Sequence, residues 1–274
     1  MTPIVSVIIP AFQALGTIDR AVASIQTAGL PLSQVQIIIS PDDGQSYEFL
    51  NTQYKNITIV ASDTIQSGAG PTRNRALRAA KGDYIAFLDA DDTWEKNYLA
   101  AVLPLAQNFG AAFGSTSVLE RGREILRLPT DNAQSTLSCA DFARSGASFH
   151  PVVARTQAGP FVNHPSQDIL HSLEILTLYG NAVPVSQVAY QLNLNPQSAT
   201  AADGFSRRVA DVYETYQTDV NLGKTRIPTA YHAEAVSVFA AKMQLNQAYL
   251  TLGHRQSYYQ FIATWLAGQT SRSL

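Results

Sequence analysis

Asp89, Asp91 and Asp92 crowd into YIAFLDADDTWEKNYL, directly after an apolar run at 84–88 that reads as a buried strand. Carboxylates this close repel one another, and each is costly to bury without a partner. The cluster therefore calls for a positive charge from outside the chain: a metal ion, or a metal carrying a phosphate-bearing substrate. Mg2+ and Mn2+ take oxygen ligands and share them with substrate phosphates. In the Asp-x-Asp pair of Asp89 and Asp91, one carboxylate can hold the metal while the other positions the metal–diphosphate or a ribose hydroxyl. The plain alternative, strongest for Asp92, is a solvated turn with a helix N-cap at Asp92 or Thr93.

Such a site needs a scaffold that gathers strand ends. Short apolar, β-branched runs at 5–10, 35–40, 56–62, 83–90 and 110–119 read as strands. Between them, 17–29 puts Ile18, Ala21, Val22 and Ile25 on one helical face and stops at Gly29. Residues 47–54 read as a short helix, and 68–82 as a glycine-rich turn into a helix with Pro71 near its first turn. Residues 93–107 read as a helix with Thr93 as N-cap. The middle is less regular: loop with short elements at 121–138, a strand at 148–156, a helix at 166–180, and a strand or two at 182–192. From about 203 the stretches 206–220, 229–253 and 256–268 read as helices with no strand between them. Alternation of this kind implies an α/β fold, a mostly parallel sheet covered on both faces, over 1–202. A helical C-terminal extension occupies 203–274.

Ligands of open α/β sheets sit at the carboxyl ends of the strands. Four features fall there: residues 10–12, the Asp42, Asp43, Gly44 turn, the Gly68, Gly70, Arg73 turn, and the acidic cluster. GAGPTRNR is not a P-loop, because no Gly-Lys-Ser/Thr follows.

Composition narrows the partners. The 274 residues are 46% hydrophobic, which permits a sizeable core, and the net charge of -2 gives no basic excess for nucleic acid. No run of about 18 apolar residues suggests a transmembrane helix. The opening MTPIVSVIIPAF lacks the basic n-region of a secretory signal. Cys139, the only cysteine, cannot form an internal disulfide, which fits a cytoplasmic location. In the C-terminal helices only Arg207 and Arg208 form an adjacent basic pair, so at most peripheral membrane contact is expected. Their tyrosines and apolar faces read first as core or a homodimer interface, and after that as a sugar-stacking surface.

Taken in order, VSVIIPAFQALGTIDRAVASI, IIISPDDGQS and GAGPTRNRALRAAKGDYIAFLDADDTWEKNYL resemble the family 2 glycosyltransferases of GT-A fold. The resemblance covers residues 4 to about 118, and 148–200 more weakly. It implies an inverting, metal-dependent enzyme of polysaccharide biosynthesis using Mn2+ or Mg2+. The enzyme would move a sugar from a nucleoside diphosphate, with UDP favoured, to a hydroxyl of a glycan or lipid-linked glycan. It implies that Pro10, Ala11 and Phe12, with Ala90, line the nucleotide pocket, and that Asp43, or else Asp42, hydrogen-bonds the base. Arg73 would contact base or diphosphate, since the guanidinium fork suits either. Asp91 would be the main metal ligand, with Asp89 shared between metal and nucleotide. The family's catalytic base belongs to a Glu-Asp or related pair opening a helix after Gly-x-Phe. Here Gly159, Pro160 and Phe161 precede Gln167 and Asp168, which makes Asp168 the candidate base and Glu174 a weaker one. The plain alternative for Asp168 is stabilisation of a helix N-terminus.

Two departures from the family pattern open other readings. Gln167 replaces the usual Glu, and Asn193 and Asn195 in YQLNLNPQS stand where arginine and histidine are common. His150, His164 and His171 are candidate substitutes for the imidazole. A catalytically degenerate binding or interaction domain is the second reading. A third is the Asp-x-Asp-x-Thr opening of haloacid-dehalogenase phosphatases, with Asp89 as nucleophile, Asp91 as acid/base and Thr93 behind it. That chemistry needs a second acidic pair and a downstream lysine, and Lys224 and Lys242 are the only lysines after residue 100.

Overall fold

The computed structural model describes residues 3–131, 134–195, 205–252 and 256–270. The first half alternates β1 (Val5–Ala11), α1 (Ile18–Gln26), β2 (Val35–Pro41), α2 (Leu50–Gln53), β3 (Ile57–Ile59), α3 (Ala69–Ala79) and β4 (Tyr84–Phe87). Then come β5 (Thr93–Trp94), α4 (Tyr98–Phe109), β6 (Ala111–Glu120), β7 (Arg123–Leu128), β8 (Thr136–Leu137) and α5 (Cys139–Ser145). β9 (Pro151–Ala154), α6 (Gln167–Leu178) and β10 (Val183–Asn193) complete the strands. The chain ends in α7 (Phe205–Asn221), α8 (His232–Thr251) and α9 (Tyr258–Thr270).

The strands run β3-β2-β1-β4-β9-β6-β10-β5, with β7 paired to β6 and β8 to β10. β1, β2, β3 and β4 are mutually parallel, as are β6 and β10, while β9 runs antiparallel between β4 and β6. The sheet is therefore mixed, with its parallel half where the strand–helix alternation is most regular. In the register, Ala11 lies beside Pro41 and Ile8 beside Phe87. This brings residues 10–12, Asp42 and Asp89 out at one edge.

Two hydrophobic clusters cover the two faces. α1 buries Ile18, Ala21, Val22 and Ile25 against Val7 and Ile9 together with Leu99 and Val102 of α4. The opposite cluster joins Ile8, Ile85 and Phe113 to Leu173 of α6, Tyr213 of α7, Phe239 of α8 and Ile262 of α9. The C-terminal helices thus share a core with the sheet, and Tyr213, Tyr216, Tyr249 and Tyr259 are buried. The boundary expected near residue 202 lies outside the described residues. No helix among the described residues is long and apolar enough to cross a membrane.

The helix expected over 93–107 begins later. Thr93 and Trp94 pair antiparallel with Gln191 and Tyr190 of β10, and α4 starts at Tyr98 after Asn97 in the left-handed region. The Thr93 hydroxyl donates to Gln191 Oε1 and does not cap the helix. Trp94 is buried and stacks on Tyr98, so tertiary packing overrides a locally helical pattern. The irregular stretch 121–138 contains β7, which extends β6 as a hairpin, and β8. α5 opens with a capping box between Ser138 and Asp141.

Candidate active site

The acidic cluster divides into three different environments. Asp92 is buried and accepts from the Tyr190 hydroxyl and the Asn193 backbone N–H, both at 2.8 Å. It ties the turn after β4 to the end of β10. Asp89 is ion-paired with Arg73, and its N–H donates to the Tyr190 oxygen at 3.0 Å. The Asp91 carboxylate has no side-chain hydrogen bond or ion pair among the described residues. Arg20 instead donates to its backbone carbonyl at 2.8 Å.

The charges follow from these partners. Burial works to raise the Asp89 carboxyl, but the Arg73 guanidinium and, after it, His150 together hold the group below its ordinary value. Burial, then the Asp89 charge, push Asp91 up to about 6. Burial and both neighbouring carboxylates push Asp92 well above its ordinary value.

Arg73 and Asn74 stand side by side on α3 and do separate jobs. Arg73 is buried, sits 5.6 Å from the Phe161 ring centroid, and leaves Nη1 without a hydrogen-bond partner. Asn74 exchanges two hydrogen bonds with the backbone of Phe161, at 2.7 and 2.8 Å. That clamp fixes the loop leading to α6, whose first turn carries Asp168. Gly70 permits the close approach: a Cβ there would overlap the Val162 carbonyl oxygen. Gly68 (φ 97°) provides the turn before α3, and its N–H donates to Asp42 at 2.9 Å.

These groups enclose a cavity of about 590 Å³. Pro10, Ala11, Phe12, Asp42, Arg73, Asp89, Ala90, Asp91 and Asp168 line it, as do Asn193, Asn195 and His150. Asp43 lies in an adjoining cavity of about 370 Å³ that shares Phe12, Gln13 and Gln66 with the first. Its carboxylate accepts from the Gln13 and Gln45 N–H groups and from the Tyr47 hydroxyl, at 2.6, 3.0 and 2.8 Å. Asp42 is buried and accepts from Ser67 and Gly68, so it organises the loop before α3.

Of the three histidines, His150 reaches the cavity. Its ring stacks on Tyr190 with centroids 4.5 Å apart, and Nε2 lies 3.9 Å from Asp89 Oδ2. Burial lowers its pKa and favours the neutral imidazole. His171 is buried, stacks on Phe161 and bonds the Ala158 carbonyl at 3.0 Å, while His164 packs edge-on to Tyr216. Glu174 is held by Arg226, with Nε to Oε2 at 2.9 Å, and serves the fold. Gln167 is buried but does not line the cavity.

Tyr190 and Tyr259 belong to the site without having been singled out from sequence. Tyr190 bridges Asp89 and Asp92, and its place in a strand running toward the site edge is its one local signal. Tyr259 comes from α9 and lines the cavity; nothing in its neighbourhood separates it from the other tyrosines there.

Among the described residues no group of three or more His, Cys, Asp and Glu could hold a metal unaided. The donor set fits a hard cation that draws its remaining ligands from substrate phosphates and water. Asp91 offers an uncommitted carboxylate on the cavity wall, whereas Asp89 is engaged with Arg73.

Comparison with known proteins matches residues 6–145 to the model of Glycosyl transferase family 2. Over 122 residues the chain is 34% identical to TuaG of Bacillus subtilis (strain 168), which carries the name of a teichuronic acid biosynthesis glycosyltransferase; the match covers 42% of this chain and 46% of that protein. It is 28% identical over 123 residues to WfgD of Escherichia coli, named as a UDP-Glc:alpha-D-GlcNAc-diphosphoundecaprenol beta-1,3-glucosyltransferase, covering 42% of this chain and 47% of that one. The matched segment therefore spans about half the length of these relatives. The crystal structure of S. aureus TarS 1-349 in complex with UDP-GlcNAc superposes with a TM-score of 0.66 at 16% identity, over 87% of this chain and 72% of that one. At that identity the likeness is one of fold, the GT-A architecture. Thr93 is committed to β5, and the family match removes the phosphatase alternative.

Proposed function

The chain belongs to glycosyl transferase family 2, and on that premise we propose that it is an inverting glycosyltransferase. It moves a sugar from a UDP-sugar to a hydroxyl of a glycan or lipid-linked glycan. The observation that carries the reading is the convergence of Asp168, Arg73, Asp89 and Asp91 on one cavity, although α6 lies far along the chain from the acidic turn. The names of the relatives support UDP as the donor nucleotide and a lipid-linked glycan as the acceptor.

Pro10, Ala11 and Phe12 form the nucleotide wall, and Asp43 faces the base from the adjoining cavity. The unpartnered Arg73 Nη1 offers a buried donor to a diphosphate oxygen. Asp91, with Asp89 beside it, would hold Mn2+ or Mg2+, which when bound offsets charge on the departing diphosphate. Asp168 takes the proton of the acceptor hydroxyl as that oxygen bonds to the anomeric carbon. The bond from the anomeric carbon to the diphosphate oxygen breaks, and the electron pair leaves with UDP. Attack opposite the leaving group inverts the configuration.

Thermal melting with UDP, GDP, CMP and ADP, each with and without Mn2+, tests this reading. A ligand at about a hundredfold excess over its dissociation constant adds about 2.7 kcal/mol of stability. A rise with UDP that needs Mn2+ is expected. A chain whose melting no nucleotide moves would instead be a degenerate domain, the alternative that Asn193 and Asn195 leave open.

A further inference from the structure

The cavity has two halves that come from different parts of the sheet. Residues 10–12, Asp42 and Gly68 come from the exits of β1, β2 and the loop before α3, on the β3-β2-β1-β4 side. Ser148, Asp168, Asn193 and Tyr259 come from the loop before β9, the start of α6, the end of β10 and α9. The acidic turn after β4 lies between the two sets in strand order. A base must reach the hydroxyl it deprotonates, so the half that carries Asp168 receives the acceptor.

Tyr259 stands in that half and is held firmly. Gln260 donates to Glu120 at 2.8 Å and ties α9 to the end of β6. Ile262 packs so close to Gly146 that a Cβ there would lie 2.5 Å from Ile262 Cδ1. Gly146 also leads into the segment carrying Ser148 and His150. From the neighbouring helix, Lys242 donates to the Ala147 carbonyl at 3.3 Å. No hydrogen bond of the Tyr259 hydroxyl is found among the described residues, and 8% of the residue stays accessible, on a cavity wall.

We infer that Tyr259 is an acceptor-binding residue whose hydroxyl, held at the cavity wall by a ring packed in the core, bonds an oxygen of the incoming sugar. This rests on the glycosyltransferase reading above. A tyrosine suits the task because its apolar ring can be buried in the core while its polar tip is left to bond a ligand. The C-terminal helices are therefore part of the acceptor site, although they lie beyond the segment matched by the family model.

The test uses the full chain and its Tyr259→Ala and Tyr259→Phe variants. UDP release is measured with Mn2+ and UDP-glucose, UDP-galactose or UDP-N-acetylglucosamine. Water alone, or an octyl glycoside of glucose, galactose or N-acetylglucosamine, serves as acceptor. Tyr259→Ala is expected to raise the acceptor KM about tenfold, with a smaller change in UDP affinity. Tyr259→Phe keeps the ring and is expected to raise KM about threefold, which serves the test even where the alanine variant fails to fold. An unchanged acceptor KM overturns the inference, as does a loss of UDP affinity in its place. A parent chain that binds UDP but releases it no faster with any octyl glycoside also overturns it. A parent chain that binds no UDP fails the glycosyltransferase reading itself, a distinct result.

Discussion

Replacing Lys242 by methionine should stabilise the protein at neutral pH, and the gain should shrink as pH rises. Lys242 lies on α8 with 3% of its surface exposed, its Nζ 4.1 Å from the Phe142 ring centroid. Its partner is the Ala147 carbonyl, and among the described residues no carboxylate lies within ion-pair distance. Burial pulls its pKa from 10.5 to about 7, against a smaller opposing pull from Asp168. At about 1.4 kcal/mol per pH unit, that drop corresponds to about 5 kcal/mol of lost stability once both states are protonated. The folded pKa lies below the unfolded one, so between about 7 and 10.5 the unfolded chain binds more protons and stability climbs with pH. Below about 7 the cost is constant.

Urea unfolding followed by circular dichroism from about pH 7 to 9.5 reads the difference between the parent and Lys242→Met. Methionine keeps an unbranched stem of similar length. The variant's advantage should fall by about 1.4 kcal/mol per pH unit across this window. The offset left at the high end still holds about 1.4 kcal/mol of the charge cost, because the unfolded side chain titrates near 10.5, and beyond that reports shape and the lost bond to Ala147; the sloping part reports the charge alone. Two stability curves running parallel would refute the reasoning, because they would mean that the ammonium stays charged in the folded protein at no cost.

Asp91→Asn should abolish the Mn2+-dependent shift with UDP. The same variant should melt a few degrees higher at pH 7 without ligand, because a carboxyl raised to about 6 costs stability once ionised. Asp168→Asn should leave UDP binding intact and lower transfer by about 10²- to 10⁴-fold in a radiolabelled-sugar assay; normal transfer would remove Asp168 as the base. Gly70→Ala should destabilise by about 1–3 kcal/mol in denaturant titration, since the added methyl meets the Val162 backbone. It should reduce transfer more than UDP affinity, because the displaced loop leads to Asp168.

Much of this protein is legible along the chain. The strands at β1, β2 and β4 and the buried face of α1 follow from periodicities of a few residues, which the polymer expresses locally. The ordered motifs at the strand exits indicate the edge on which a site would form. Local pattern stops at the acidic cluster. Three aspartates in four positions look alike in sequence, yet Asp92 ties down β10, Asp89 pairs with Arg73, and Asp91 alone is left uncommitted among the described residues. The partners that decide this, Tyr190 and Asn193, lie about a hundred residues away. The same packing turned Thr93 from a helix cap into a strand residue and brought His150 to the cavity in place of His164 or His171. It also buried Lys242 and set Tyr259 of the last helix against the site. Periodicity records which face of an element is apolar. Which polar group meets which across the core is decided only when the elements dock, because a buried charge takes its partner from whatever the fold brings within reach.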